Sequence, residues 1–306
     1  MKNAAKFEIH YHLQNKSHSI DALVRNKCEA EFLAIAYEII SQFELGITLE
    51  AEAWSEGGLR DRWKTLSFTD KIASVTLLVT VLATVMSRVP VSDPLQDTKN
   101  CLEIEKLRQE LSQDVISQTV IDSCAEYIQK SPKIRTRRSN FYKHLRHNEK
   151  VYKIGFSSLD EDSAPITDEK TVLRPDFPKF ILLSNKLPVE IIEDAQIEIV
   201  APVLREGNAK WKGIYIEPTP ISFEMNDREF KQAVLAKQIS FKNGDIILCV
   251  LEIHREVNEV GELATPKYAV QTVLDKIENG VRKETASSKK YRRELEAKKA
   301  QTSMDF

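Results

Sequence analysis

The stretch KFEIHYHL alternates Phe7, Ile9, Tyr11 and Leu13 with Glu8, His10 and His12. A period of two puts the apolar set on one face and predicts a half-buried strand. The period then changes. Apolar residues at 20, 23, 24, 28, 32, 35, 36, 39 and 43 follow one helical face, with Ser19 as the expected N-cap and Gly46 as the stop. Residues 47 to 64 read as two strands turning at Gly57 and Gly58. Residues 1 to 70 are therefore expected to form a β-α-β-β unit. Three strands and one helix leave apolar sheet surface uncovered, so a further helix is required.

The stretch IASVTLLVTVLATVMS, Ile72 to Ser87, is the obvious candidate: sixteen uncharged residues, assigned with its flanks to a segment 71 to 90. At 1.5 Å per residue it spans roughly 24 Å, against about 30 Å of bilayer hydrocarbon. Five of the sixteen are Ser or Thr, and Thr76, Thr80 and Thr84 recur every fourth residue. Such a stripe suits close helix packing in water or in lipid. A buried or oligomer-forming helix is the expectation; a short membrane span that anchors the chain through residues 72 to 87 is the alternative.

After the proline-bearing VPVSDPLQD, residues 95 to 150 are expected to hold one helix of about thirty residues, followed by a basic segment. From Val151 to 281 the chain reads as short strands: VYKIGF, QIEIVAPVL, WKGIYI, ISFEM, QISFK, DIILCVLEIHREV and KYAVQTVL. Asn243 and Gly244 suggest a type I′ hairpin between two of them. Asn226, with Glu229 three residues on, suggests a capped helix. The expected class is α+β: a β-α-β-β unit with an apolar and a long helix, then a mainly antiparallel β-rich domain with one packed helix, open barrel included. Residues 282 to 306 look like a solvated, partly helical tail.

With 42% hydrophobic and 29% charged residues among 306, the composition is that of ordinary globular domains and excludes low-complexity classes. The net charge of −2 hides an imbalance. Lys130 to Lys150 holds eight Lys or Arg against Glu149, and Arg282 to Ala300 holds eight against three Glu. In the first cluster Lys133, Arg135, Arg137, Arg138, Tyr142, Lys143 and Arg146 mix cations with an aromatic ring, a composition that suits phosphates and stacked bases. A solvated face over a packed helix would use the same residues.

Chemistry is sparsely signalled. Cys28, Cys101, Cys124 and Cys249 lie far apart, without CxxC spacing, and read as buried apolar residues of a reducing compartment. The N-terminus lacks the apolar core of a signal peptide, which favours a cytoplasmic location. His10 and His12 share a strand face and two imidazoles at that spacing could bind zinc or copper, yet no acid or Cys is placed by spacing, so surface histidines and no metal site are the expectation. Asp176, Asp245, Glu190 and Glu252 lack the Glu-x-Lys that a metal-dependent nuclease of the restriction type requires. No GxSxG, Walker A or GxGxxG occurs. The reading is a non-enzymatic binding or assembly protein without a cofactor, homo-oligomeric through its N-terminal half and meeting a polyanion such as nucleic acid through the basic cluster. A single-span membrane-anchored sensor or effector with a soluble β-rich domain is the alternative, and a metal-dependent nuclease a remote one.

Overall fold

The computed structural model describes residues 4–14, 17, 19–52, 59–67, 72–89, 101–111 and 117–302. The expected turn at Gly57 and Gly58 and the linker from Pro90 to Asp97 lie outside the described residues. The chain is α+β and divides into two compact units, Met1–Asn185 with Val257–Glu262, and Lys186–Glu256 with Leu263–Phe306.

The first unit is built on an antiparallel sheet in the order β2-β3-β1-β4-β5, with β1 at Lys6–Leu13, β2 at Ile47–Ala51, β3 at Leu59–Ser67, β4 at Val151–Leu159 and β5 at Lys170–Leu173. The last two strands were expected in the second domain. They pair instead beside β1, with His10 opposite Gly155 and Gly155 opposite Thr171, so the division falls near residue 185 rather than at 151. Phe7, Ile9, Tyr11, Trp63, Ile154, Phe156 and Val172 form the buried face, as alternation requires. Helix α1, Ala22–Gln42, lays Cys28, Phe32, Ile35, Ala36 and Ile39 into this core. Its N-cap is Asp21, whose side chain accepts from the Val24 N–H, and not Ser19.

Helix α2, Ile72–Ser87, is buried nearly all round: Leu77, Leu78, Val79, Val81, Val85 and Met86 are at 0% exposure. It packs on β3, β4 and β5 and against α1 and α4, so protein covers it. Among the described residues no helix is long and apolar enough to cross a membrane. The expected thirty-residue helix is two helices, α3 at Cys101–Leu111 and α4 at Gln118–Lys130. Ser117 interrupts them: it is extended (φ −72°, ψ 155°) and caps α4 by accepting from the Val120 N–H. Helix α5, Pro132–Arg146, starts with Pro at its first position, where a missing N–H costs nothing. After β5 comes a short 3₁₀ helix, Arg174–Phe180, whose Phe177 and Phe180 enter the same core.

The second unit is a five-stranded barrel. Strands β6 (Glu190–Ala201), β7 (Trp211–Tyr215), β8 (Glu217–Met225), β9 (Ile246–His254) and β10 (Lys267–Glu278) run in the order β10-β8-β7-β6-β9, and β9 pairs back to β10. The β8–β10 pairing is parallel and the other barrel pairings are antiparallel. This order, with helix α6 (Arg228–Leu235) between the third and fourth strands, is the arrangement of OB-type barrels, an architecture that does not by itself imply a function. Side chains fill the interior, led by Trp211, Phe223, Ile197, Cys249, Leu251 and Val270, with Phe230 of α6 packed against them.

Four expectations change here. QISFK is not a strand; its Phe241 packs edge-on against Trp211 at 5.6 Å, and the chain makes a tight turn in which the Asp245 N–H donates to the Lys242 carbonyl. Gly244 has φ 81° but Asn243 is not left-handed, so a type I′ hairpin is absent at this turn. The cap of α6 is Asp227, not Asn226. Residues 281–302 are also not a free tail. Strand β11, Val281–Glu284, pairs with β10, and helix α7, Ala286–Thr302, begins with Thr285, Ser287 and Ser288 buried.

Candidate functional site

The basic cluster and the apolar helix explain one another. Periodicity in α5 places Ile134, Arg138, Phe141, Tyr142 and Leu145 on one buried face, against α1 and the core. The Arg138 Nη1 donates to the Val85 carbonyl at 2.9 Å, and the Tyr142 hydroxyl donates to the Met86 carbonyl. Those are last-turn carbonyls of α2, which lack partners within their own helix. The guanidinium also meets the negative end of the α2 dipole and sits 5.9 Å from the Phe180 ring centre. Burial lowers the Arg138 pKa to about 10 and pushes the Tyr142 hydroxyl well up.

The stacking surface expected at Tyr142 is therefore not presented to solvent; its ring stacks on Phe180 at 4.3 Å. Lys133 pairs with Glu38 at 2.5 Å and Arg137 with Glu31 at 3.2 Å, both acids of α1. Arg135 is buried, and Lys143 and Arg146 are exposed. The threonine stripe is used within the chain: Thr84 donates to the Thr80 carbonyl at 2.8 Å and accepts from Lys170 Nζ at 2.9 Å, while Thr76 lies half-buried on the same helix. Cys124 and Cys249 are buried thiols with pKa values pushed up to about 12 by desolvation, as inert structural cysteines should be.

The other face of the first sheet brings chemistry together. Strand alternation points Lys6, Glu8, His10 and His12 away from the core, beside Arg60 and Arg62 of β3 and Lys153 and Gly155 of β4. The chain from Asp160 to Glu169 lies over this face. Ser163 accepts from Lys6 at 3.0 Å and from Arg62 at 3.3 Å, and the Ala164 N–H donates to the Asp160 side chain at 2.8 Å. Glu169, the last residue before β5, thereby reaches the histidines. Its Oε1 is 3.2 Å from His10 Nδ1 and 3.1 Å from His12 Nε2, and its Oε2 is 3.2 Å from the same His12 nitrogen.

Gly155 makes room for that carboxylate, because a Cβ there would stand 1.9 Å from Glu169 Oε1. Its φ is not left-handed, so the glycine serves space rather than backbone conformation. The imidazole rings lie 3.7 Å apart between centres. The pKa of His10 is lowered, chiefly by burial and then by His12 and Arg60, against an opposing pull from Glu169. Burial also lowers His12, which Glu169 opposes and Lys153 and Arg60 reinforce. The lowered values favour the uncharged imidazole, the form that binds a metal ion. Along the face, Glu8 takes Arg60 at 2.6 Å and Arg62 at 2.5 Å, and Lys6 pairs with Glu52 at 2.7 Å.

Donor atoms on His10, His12 and Glu169 all lie within 4.8 Å of one another. Atoms bound to one tetrahedral ion at about 2.1 Å stand roughly 3.4 Å apart, close to the two carboxylate–imidazole spacings of 3.2 and 3.1 Å. The sequence shows two of the three side chains of this cluster. Glu169 is hidden in a polar loop, and its one local signal is Gly155, a glycine inside a strand that marks a close approach. Comparison with protein families, with curated proteins and with solved structures gives no significant match to the chain.

Proposed function

We propose that this chain is a non-enzymatic, transition-metal-binding protein whose first unit takes one divalent ion, Zn²⁺ by ligand type, between His10 Nδ1, His12 Nε2 and the Glu169 carboxylate. The supporting observation is the convergence of two imidazoles from one strand and one carboxylate from a loop distant in sequence, with their donor atoms clustered. Two nitrogens and one oxygen suit zinc, whereas an oxygen-only set would suit calcium or magnesium. Equilibrium dialysis against Zn²⁺ followed by metal analysis tests the reading. Wild type should retain one equivalent, and His12→Ala and Glu169→Gln should retain little. Equal retention by all three proteins would overturn it.

The expected polyanion contact loses its aromatic component, because Tyr142 is at 0% exposure and Arg138 at 1%. The cations that remain exposed in that cluster support no separate reading.

A further inference from the structure

Three protein ligands leave a fourth position of a tetrahedral zinc open, and the surroundings of the site indicate what fills it. Lys153 stands on β4 directly opposite His12, on the same side of the sheet. Residues paired in this way have Cβ atoms about 5 Å apart, which brings a lysine's long stem within reach of the imidazole's neighbourhood. Lys153 is half-buried, yet among the described residues no carboxylate lies within 4.0 Å of its ammonium. Its neighbours on this face differ: Lys6 meets Glu52, and Arg60 and Arg62 meet Glu8. The stem of Lys153 is thus packed on the sheet while its charge acts on His12, and an ammonium held near a metal site without a carboxylate is matched by an external anion or by water.

Charge counting points the same way. A divalent ion with one carboxylate and two neutral imidazoles leaves one positive charge, and Lys153 adds a second beside it. A ligand bridging the two must be an anion with at least two oxygens, one for the metal and one for the ammonium. Tetrahedral oxyanions offer this, with oxygens directed both ways. Tyr152, 6.1 Å from the His12 ring and 40% exposed, flanks the site without closing it to solvent.

We infer that the loaded site binds a phosphate-type oxyanion, one oxygen on the metal and another on the Lys153 ammonium; this rests on the metal-binding reading above. The anion is then a fourth ligand supplied from outside the chain. No bond in it is broken.

Titration calorimetry of the full chain with inorganic phosphate, in a buffer free of phosphate and chelators, tests this after zinc content has been measured. Zinc-loaded wild type should bind phosphate saturably at one equivalent, and the metal-free protein should not. Lys153→Met should keep its zinc and bind phosphate about tenfold or more weakly, the loss expected for one charge-assisted contact. Lys153→Arg should recover most of the affinity, which a merely misfolded variant would not. Acetate, with a flat carboxylate, should compete poorly. Zinc uptake without phosphate binding, or phosphate binding by Lys153→Met equal to wild type, overturns this inference alone. Absence of zinc uptake overturns the underlying reading, and this inference with it.

Discussion

Glu169 lies across Gly155, so close that a Cβ on residue 155 would fall 1.9 Å from its Oε1. The contact is with the end of a flexible side chain, so Gly155→Ala should displace Glu169 rather than the backbone. Alanine also loses less conformational entropy than glycine in a strand, worth about 0.5 to 1 kcal/mol. The expected outcome is a melting temperature unchanged or slightly raised, with zinc affinity reduced about 10- to 100-fold, the range for disturbing a metal site's support. Chelator competition reads the affinity. Unchanged zinc affinity would mean that Glu169 is not a ligand.

Arg138 and Tyr142 hold the C-terminal carbonyls of α2, and their variants should report on the fold. Tyr142→Phe leaves the Met86 carbonyl without its partner, at about 1 to 3 kcal/mol. Arg138→Glu places an acid against carbonyls in the core and should cost about 3 to 5 kcal/mol, the scale of an uncompensated buried charge. A solvated basic face would give within about 0.5 kcal/mol for either change. Denaturant unfolding separates the two outcomes.

In the barrel unit, Asp227 accepts from the Phe230 N–H at 2.9 Å, from the buried Val273 N–H at 2.8 Å and from the Ser287 hydroxyl at 2.8 Å. One carboxylate thus ties α6, β10 and α7 together. Asp227→Ala should cost about 2 to 4 kcal/mol, a lost cap plus a stranded buried N–H. Truncation after Gly280 removes β11 and the Ser287 contact and should also lower the barrel's melting temperature. A melt unchanged by truncation would return the tail to the solvated state that its composition suggests.

Glu278 gathers Lys242 at 2.9 Å, Lys283 at 2.9 Å and Lys276 at 3.6 Å. Hydrogen bonds from Lys242 and Lys283, with the charge of Lys276, lower its pKa to about 2. A carboxylate depressed in the folded state stabilises the fold above its unfolded pKa, and that contribution is lost as pH falls toward the folded value. The window runs from the ordinary 4.5 down to about 2. The carboxyl resonance of Glu278 should therefore titrate well below those of other glutamates, and Glu278→Gln should flatten the acid-unfolding curve across that window. A Glu278 titration near 4.5 would contradict this.

Period carried much of the fold and composition misled where it was used in place of period. Alternation marked β1 and the apolar spacing marked α1, because each element buries one face of a single core. VYKIGF was legible as a strand, but nothing local says which sheet it joins; β4 pairs with β1 across the intervening helices. Reading Lys130 to Lys150 by charge suggested an open surface. Spacing contained the correction, since Ile134, Arg138 and Tyr142 recur every fourth residue and share the buried face. At the candidate site the two histidines could be read from the strand pattern, whereas Glu169 arrives through a loop whose path is fixed by Ser163 and Asp160 contacts that no spacing rule encodes.

The most direct measurement is the visible spectrum of the full chain titrated with Co²⁺, which reports coordination geometry as well as occupancy. Wild type should develop the intense bands of low-coordinate cobalt with an endpoint at one equivalent, and added Zn²⁺ should bleach them. His10→Ala, His12→Ala and Glu169→Gln should each leave only the weak spectrum of hydrated cobalt, while retaining the wild-type far-ultraviolet dichroism. A wild-type spectrum indistinguishable from that of the three variants would contradict metal binding by His10, His12 and Glu169.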